Sequence, residues 1–365
     1  MAQLYNKYDK ETLKRLLVEE GLERTTISFY KYHHITDPHI TRDLMYADLE
    51  SIGVLGRVYL AKEGVNAQIS VPTIHIEKFR DYLDTNYDWL KGIRLNFARE
   101  ERGLSFLKLK IKVRDKIVAD GLNDKTFDVT NKGVHLTAEG FNAITSKEET
   151  VLIDMRNHYE SEIGKFKGAI TPDVDTFRES LPVIVDDQVE NKDKDIVMYC
   201  TGGIRCEKAS AYFKHRGFKN VYQLEGGIIE YHRQVNEKGL ENRFIGKNFV
   251  FDDRRAETVG EDVIGKCHQC GSPWDVHENC ENDACHLLFL QCPDCNTQKK
   301  GCCSDDCQEF ITLPEELRKD FKKGMDFGTQ TFKKGRESAF VPAYNQWKLK
   351  NEENLTPYLN GSDKT

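Results

Sequence analysis

Ile196-Val197-Met198-Tyr199-Cys200-Thr201-Gly202-Gly203-Ile204-Arg205-Cys206-Glu207-Lys208-Ala209 decides the class of fold. Four apolar residues run without alternation into a cysteine, two glycines interrupt the chain, and good helix formers continue over residues 205–213. A strand that is apolar on both sides is covered on both sides, as in a parallel sheet between helices. Val151-Leu152-Ile153 and Val221-Tyr222-Gln223-Leu224 repeat the pattern, and the polar stretch 186–195 reads as a surface loop between such elements. In these sheets ligands bind where the carboxyl end of a strand meets the start of a helix. The two glycines let backbone N–H groups turn inward, and the helix terminus adds positive charge, so a thiol placed there ionises easily. Only four residues, Thr201, Gly202, Gly203 and Ile204, separate Cys200 from the planar guanidinium of Arg205. That tight cradle suits a sulfane sulfur better than a tetrahedral phosphate. A cysteine at a strand end is by itself usually a small core residue; strand, cysteine, glycine pair, arginine and helix together make Cys200 the candidate nucleophile. Cys206, at the helix start, is expected to point elsewhere.

Outward from this centre, the chain of 365 residues is long enough for two or three domains. Residues 9–20 read as a helix capped by Asp9 and ended by Gly21. Extended runs at 26–33, 55–61, 67–71, 94–97 and 106–113 alternate with helical ones at 40–52 and 74–86, which is the β-α-β-β-α-β order of a ferredoxin-like, split βαβ domain. The expected architecture is α/β multidomain: an N-terminal helix (1–24), a ferredoxin-like domain (25–125) as RNA platform, a parallel α/β domain (126–242), a cysteine-rich segment (243–312) and a basic C-terminal tail (313–365).

The net charge is -7, which argues against a surface that is basic throughout, but the charge is uneven. Residues 91–120 carry nine Lys/Arg against four Asp/Glu, and residues 318–350 nine against three. Phe321, Phe327, Phe332, Phe340, Tyr344 and Trp347 interleave the second stretch with aromatics, a pattern that serves single-stranded nucleic acid as well as it serves a solvated face. Within the first, Lys108, Lys110, Lys112 and Arg114 share one parity, so on a strand they project from one face and are candidate RNA contacts. No run is long and apolar enough to span a bilayer, and the N-terminus does not read as a secretory signal, so the cytoplasm is expected.

Nine of the eleven cysteines crowd between residues 267 and 307: Cys267, Cys270, Cys280, Cys285, Cys292, Cys295, Cys302, Cys303 and Cys307. Two C-x-x-C knuckles among them point to structural zinc, with thiols enough for two four-cysteine sites and one left over. The pairing is open at this point, and His268, His277 and His286 are alternative ligands.

The strand, loop and helix around Cys200, with Asp154-Met155-Arg156-Asn157, Gly164-Lys165-Phe166-Lys167-Gly168-Ala169 and Leu224-Glu225-Gly226-Gly227-Ile228, resemble a complete rhodanese domain. The family's loop cysteine maps to Cys200, its closing arginine to Arg205, and its first-strand pair to Asp154 and Arg156, which are expected to support the loop as an ion pair. Adding Lys62-Glu63-Gly64-Val65-Asn66 and Asn282-Asp283-Ala284-Cys285-His286, residues 5–310 are similar to the bacterial rhodanese-domain family of tRNA uridine(34) hydroxylases. That resemblance implies oxygen-dependent hydroxylation of the wobble uridine to 5-hydroxyuridine, with the loop cysteine required, dioxygen as co-substrate and the tRNA anticodon region as partner. No nicotinamide, flavin or haem motif is visible, and neither the electron donor nor the oligomeric state can be read. The alternatives are a sulfurtransferase working through a cysteine persulfide and a non-catalytic tRNA- or protein-binding scaffold.

Overall fold

The computed structural model describes residues 8–98, 105–122, 127–174, 176–251, 254–323 and 338–359. Arg99, Arg102, Phe327 and Phe332 of the basic stretches lie outside them. The chain forms two compact units, one of Met1–Ser161, Lys165–Phe244 and Asn248–Gly260, the other of Glu162–Gly164, Ile245–Lys247 and Glu261–Thr365.

The first unit opens with helix α1 (Lys10–Glu20), where the Asp9 carboxylate accepts the Thr12 N–H and left-handed Gly21 closes the end. Strands β1 (Arg24–Tyr32), β2 (Leu55–Ala61), β3 (Gly64–Pro72), β4 (Asn96–Phe97) and β5 (Leu109–Val113) alternate with helices α2 (Pro38–Ile52) and α3 (Ile76–Asn86). The sheet order is β4-β1-β3-β2-β5, the ferredoxin-like arrangement extended by β5, which pairs parallel with β2. Strand alternation divides the faces. Ile27, Phe29, Val58, Val65, Ala67, Ile69, Leu109 and Ile111 pack with Met45, Leu49, Phe79 and Leu83 of the two helices. The opposite face carries polar residues, and its register runs in one row: Asn96 beside Ser28, Ser28 beside Gln68, Gln68 beside Arg57, Arg57 beside Lys110.

The same unit continues through β6 (Val134–Leu136), α4 (Ala138–Thr145), β7 (Val151–Asp154), α5 (His158–Glu162), β8 (Gly164–Phe166), α6 (Phe177–Asp187), β9 (Asp195–Tyr199), α7 (Ile204–His215), β10 (Asn220–Leu224) and α8 (Gly227–Lys238). Strands β6-β10-β9-β7 form a wholly parallel sheet. Ile196 and Met198 pack among Leu181, Ile184 and Phe213 on one face, Val197 and Tyr199 among Phe141, Phe166 and Tyr231 on the other. Two-sided burial accounts for the unbroken apolar run that marks β9 in the sequence.

One ion cluster ties the two sheets. The Lys208 side chain, on α7, is 2% exposed; its Nζ lies 2.9 Å from both Glu63 carboxylate oxygens and 2.8 Å from Asp120 Oδ2. Glu63 occupies the β2–β3 turn and also accepts the Ile117 N–H at 2.8 Å. Against the upward push of burial, hydrogen bonds from Lys116 and Lys208 hold the Asp120 carboxyl below its ordinary value.

Two further strands, β11 (Phe244–Phe249) and β12 (Ala256–Thr258), precede the cysteine-rich unit. That unit contains the antiparallel pair β13 (His277–Asn279) and β14 (Leu288–Leu290), then helices α9 (Pro293–Lys299), α10 (Asp305–Thr312), α11 (Glu315–Lys322), α12 (Phe340–Lys350) and α13 (Glu352–Leu359). The described residues beyond 313 are therefore not a free tail. Phe321, Phe340, Tyr344 and Leu355 bury against Phe310 in a core that includes Cys280, Cys285, Cys302 and Cys307. These aromatics are spent on packing and cannot stack on bases. Three of the described cations are matched as well: Lys322 with Asp283, Lys319 with Glu315, and Lys348 with both Asp306 and Glu309.

Removing the ammonium from a largely buried ion cluster leaves Glu63 without its cation and Asp120 with Lys116 alone. Lys208→Met is expected to destabilise the protein by about 3 kcal/mol in urea unfolding, and Lys208→Met combined with Glu63→Gln and Asp120→Asn to recover most of the loss.

Candidate functional site

Cys200 leaves the carboxyl end of β9 and its side chain is wholly buried. The loop then turns through Gly203 at φ 97°, a conformation that favours glycine, and this brings the Gly203 N–H to 3.1 Å from Cys200 Sγ. A Cβ on Gly203 would lie 2.6 Å from the Tyr30 hydroxyl, so the loop packs directly against the first sheet. Behind it, Ile228 N and Ile229 N at the start of α8 donate to the carbonyls of Cys200 and Thr201 at 3.0 and 3.3 Å. Gly227 makes that approach possible, since a Cβ there would come within 2.4 Å of the Cys200 carbonyl.

Burial pushes the Cys200 thiol up, yet its pKa is lowered to about 6 by a hydrogen bond from the Cys206 thiol, the charge of Arg205 and the N–H groups of Cys206 and Arg205. The thiolate is therefore the resting form at neutral pH. Cys206 does not point elsewhere: burial and its bond to Cys200 hold its own thiol protonated, well above the ordinary value. In the first turn of α7 its side chain leans back over the loop, as helical side chains do.

Arg205 also differs from the expected cradle. Its guanidinium forms a bidentate pair with Glu160 of α5, Nη1 to Oε1 at 2.6 Å and Nη2 to Oε2 at 2.8 Å, and Thr201 Oγ1 lies 3.3 Å from Glu160 Oε2. Backbone N–H groups and the Cys206 thiol thus surround the sulfur, while Arg205 acts on it through charge and stays locked by a buried carboxylate. Asp154 and Arg156 form a fully buried ion pair, with Arg156 Nη2 donating to Asp154 Oδ2 at 2.7 Å; the Tyr199 hydroxyl donates to the same oxygen at 2.7 Å. The pair fixes the residue immediately before Cys200.

Cys200 lines a cavity of about 550 Å³ shared with Ser28, Tyr30, Asn66, Gln68, Asn96, Phe177 and Phe251. The polar face of the first sheet is one wall of the site. Glu160 and Asn96 are missing from the sequence reading, which expected the first sheet as an RNA platform but not as a wall of the Cys200 site; only the Lys62-Glu63-Gly64-Val65-Asn66 motif hinted that the β2–β3 turn matters.

Lys110 and Lys112 lie on the polar side of β5, opposite Leu109 and Ile111, and Lys108 and Arg114 flank the strand at its two ends. Among the described residues none of the four has a carboxylate partner. Partial burial and the mutual repulsion of Lys108, Lys112 and Arg57 lower the pKa of Lys110. Arg57 and the four form a basic edge that no carboxylate among the described residues neutralises.

In the second unit the nine thiols sort into Cys267, Cys270, Cys292 and Cys295, and Cys280, Cys285, Cys303 and Cys307, with Cys302 left over. All four Sγ atoms of each group lie within 4.8 Å of one another. Neighbouring sulfurs stand 3.6 Å apart in Cys270–Cys292 and Cys285–Cys303 and 3.7 Å apart in Cys303–Cys307. Metal–thiolate bonds of about 2.3 Å put tetrahedron corners about 3.8 Å apart, so both groups fit a metal ion. The histidines offered as alternative ligands are outside both sets, and His268 Nε2 meets Glu162 at 2.6 Å instead. A metal ion held by either group would have four sulfur ligands, a closed set with no open position.

Residues 24–117 match the UPF0176 acylphosphatase like domain, residues 137–234 the Rhodanese-like domain and residues 245–308 the family described as Rhodanase C-terminal. A rhodanese-like domain protein from Staphylococcus aureus aligns over 27% of this chain and 90% of its own, at 21% identity and a TM-score of 0.23. Curated proteins named tRNA uridine(34) hydroxylase are similar over nearly the whole length: 52% identical in Enterobacter sp., 53% in Salmonella heidelberg and 51% in Photorhabdus laumondii, each over 92% of this chain and 96% of the relative. With that identity across all three matched regions, the chain belongs to the tRNA uridine(34) hydroxylase family.

Proposed function

We propose that the protein hydroxylates C5 of the wobble uridine of tRNA, with Cys200 as the nucleophile. The observation that carries this reading is a buried thiolate at the edge of a cavity whose wall is a polar sheet face, continuous with a basic edge that has no carboxylate partner among the described residues. A cavity of about 550 Å³ accommodates a nucleotide and is far larger than a sulfane donor such as thiosulfate requires. The row from Asn96 to Lys110 crosses five strands, roughly 19 Å at ordinary strand spacing, so a backbone held on the basic edge can deliver a nucleotide to Cys200 on the same face. The wobble base sits in a single-stranded loop, which keeps the cost of presenting it low.

Addition of the Cys200 thiolate to C6 of the uracil ring would raise electron density at C5 and O4, the activation that nucleophilic catalysis supplies. Replacing C5–H by C5–OH then uses one oxygen atom of dioxygen. The other leaves as water, with two electrons and two protons drawn from a separate reductant, and elimination returns the thiolate. Zinc is the ion that the two closed thiolate tetrads suit best, as scaffolding of the second unit. No helix among the described residues is long and apolar enough to cross a membrane, and a tRNA substrate with thiolate metal sites fits a reducing cytoplasm.

Nucleoside mass spectrometry of tRNA treated with Cys200→Ala should show no 5-hydroxyuridine, while the wild type forms it. Alkylation of Cys200 in the wild type should reach half its maximal rate near pH 6, and Cys206→Ala, which removes a donor to the sulfur, should move that midpoint upward. Elemental analysis of protein prepared under reducing conditions should find about two zinc ions per chain, with one lost in Cys292→Ser and the other in Cys303→Ser. Replacing Lys108, Lys110, Lys112 and Arg114 by Ser should weaken tRNA binding and reduce the slope of log affinity against log salt by about 3; an unchanged slope would place the RNA elsewhere.

A further inference from the structure

The polar face beside Cys200 holds a group that the fold leaves unused. Asn96, on β4, is only 8% exposed, and among the described residues its carboxamide has no hydrogen-bond partner. Its amide atoms keep some exposure to the cavity, so a ligand there can take the hydrogen bonds that water otherwise makes. Asn96 lines the same cavity as Cys200, and its Nδ2 would stand 3.8 Å from a Cβ on Gly202, so the amide faces the loop across the cavity. Its neighbours on the row are differently engaged. Gln68 Nε2 donates to Asn66 Oδ1 at 2.6 Å, and Asn66 Nδ2 donates to the Ile117 carbonyl at 3.2 Å. Phe177 and Phe251 supply aromatic surface to the same cavity, as a planar heterocycle requires.

We infer that Asn96 reads the imide edge of the target uracil, donating from Nδ2 to O4 and accepting N3–H on Oδ1, and so turns C5 and C6 toward Cys200. The inference rests on the uridine hydroxylase reading and adds to it the residue that holds the base. A carboxamide offers one donor and one acceptor side by side, which matches the O4 and N3–H pair of uracil in a two-point contact. When the thiolate adds to C6, charge accumulates on O4, and a donor already aimed at that oxygen binds the transition state more tightly than the ground state. Asn96 is thus a specificity-determining residue whose loss affects both binding and turnover.

The test uses the full-length protein and anticodon stem-loop RNA carrying uridine, cytidine or an abasic site at position 34. Wild-type protein is expected to bind the uridine RNA more tightly than the abasic one. In Asn96→Leu that ratio should fall about tenfold, with kcat reduced as well and affinity for the abasic RNA unchanged. Asn96→Asp, which can only accept, should disfavour O4 and favour the cytosine amino group, making the cytidine RNA the better ligand. Asn96→Ala serves if leucine disturbs the strand, and Cys200 alkylation with the wild-type pH midpoint shows that the loop is intact. A wild-type uridine-to-abasic ratio in Asn96→Leu or Asn96→Ala, or equal weakening toward all three RNAs, overturns the role of Asn96 while leaving the hydroxylase reading in place. Wild-type protein that binds the uridine and abasic RNAs equally and forms no 5-hydroxyuridine overturns the hydroxylase reading itself, and the inference with it.

Discussion

A single ammonium group, Lys208 Nζ, sets the geometry on which the site depends. It is shared by Glu63 from the first sheet and Asp120 from the segment that follows that sheet, and it stands on the helix that begins at the Cys200 loop. An unpaired charge in such surroundings is costly enough to forbid other arrangements. The pairing therefore fixes the distance between the polar sheet face and the loop, and with it the width of the cavity. The packing of Tyr30 against Gly203 follows from the same placement.

Charges around the sulfur are arranged in pairs that leave only one of them reactive. Asp154 neutralises Arg156 beneath the loop, Glu160 neutralises Arg205 beside it, and the thiolate receives N–H and S–H donors. Arg205 still favours the thiolate through space, but its guanidinium is held by Glu160 and cannot swing to meet a large anion. A rhodanese-type loop thus keeps its activated sulfur, while the neighbouring sheet, rather than the loop, presents the polar wall of the cavity.

What could be read from the chain, and what could not, divides along sequence distance. β9, the Cys200 loop and α7 are contiguous, so apolar run, glycine pair and helix formers sufficed to place them. The ferredoxin-like order was legible because each strand and helix carries its own period; the short β4 and the added edge strand β5 were visible only as extended runs. Glu160 was missed because its partner is 45 residues away, and nothing in the sequence around residue 160 marks a carboxylate that will be buried. Asn96 was missed for a similar reason: a lone asparagine near a short strand looks like a turn residue until the sheet turns it toward the loop. Cys206 was misread because helix geometry, not sequence spacing, brings its sulfur back to Cys200. The cysteine spacings called for two tetrads but not for their membership, since Cys280 and Cys285 fall between the two knuckles and only the fold assigns them to Cys303 and Cys307. Phe321, Phe340 and Tyr344 were ambiguous until Phe310 appeared as their shared neighbour.

The alternation along β5 has a consequence for how this region can change over generations. Leu109 and Ile111 fill the core while Lys110 and Lys112 stand on the opposite side, and period two couples those assignments rigidly. A deletion or insertion of one codon within the strand would exchange the faces beyond it, driving a lysine under the helices and leaving an apolar residue on the basic edge. Length there is consequently constrained twice, once by packing and once by charge. Substitutions can accumulate one at a time on either face, whereas insertions and deletions should be tolerated only in pairs of residues or in the loops on either side.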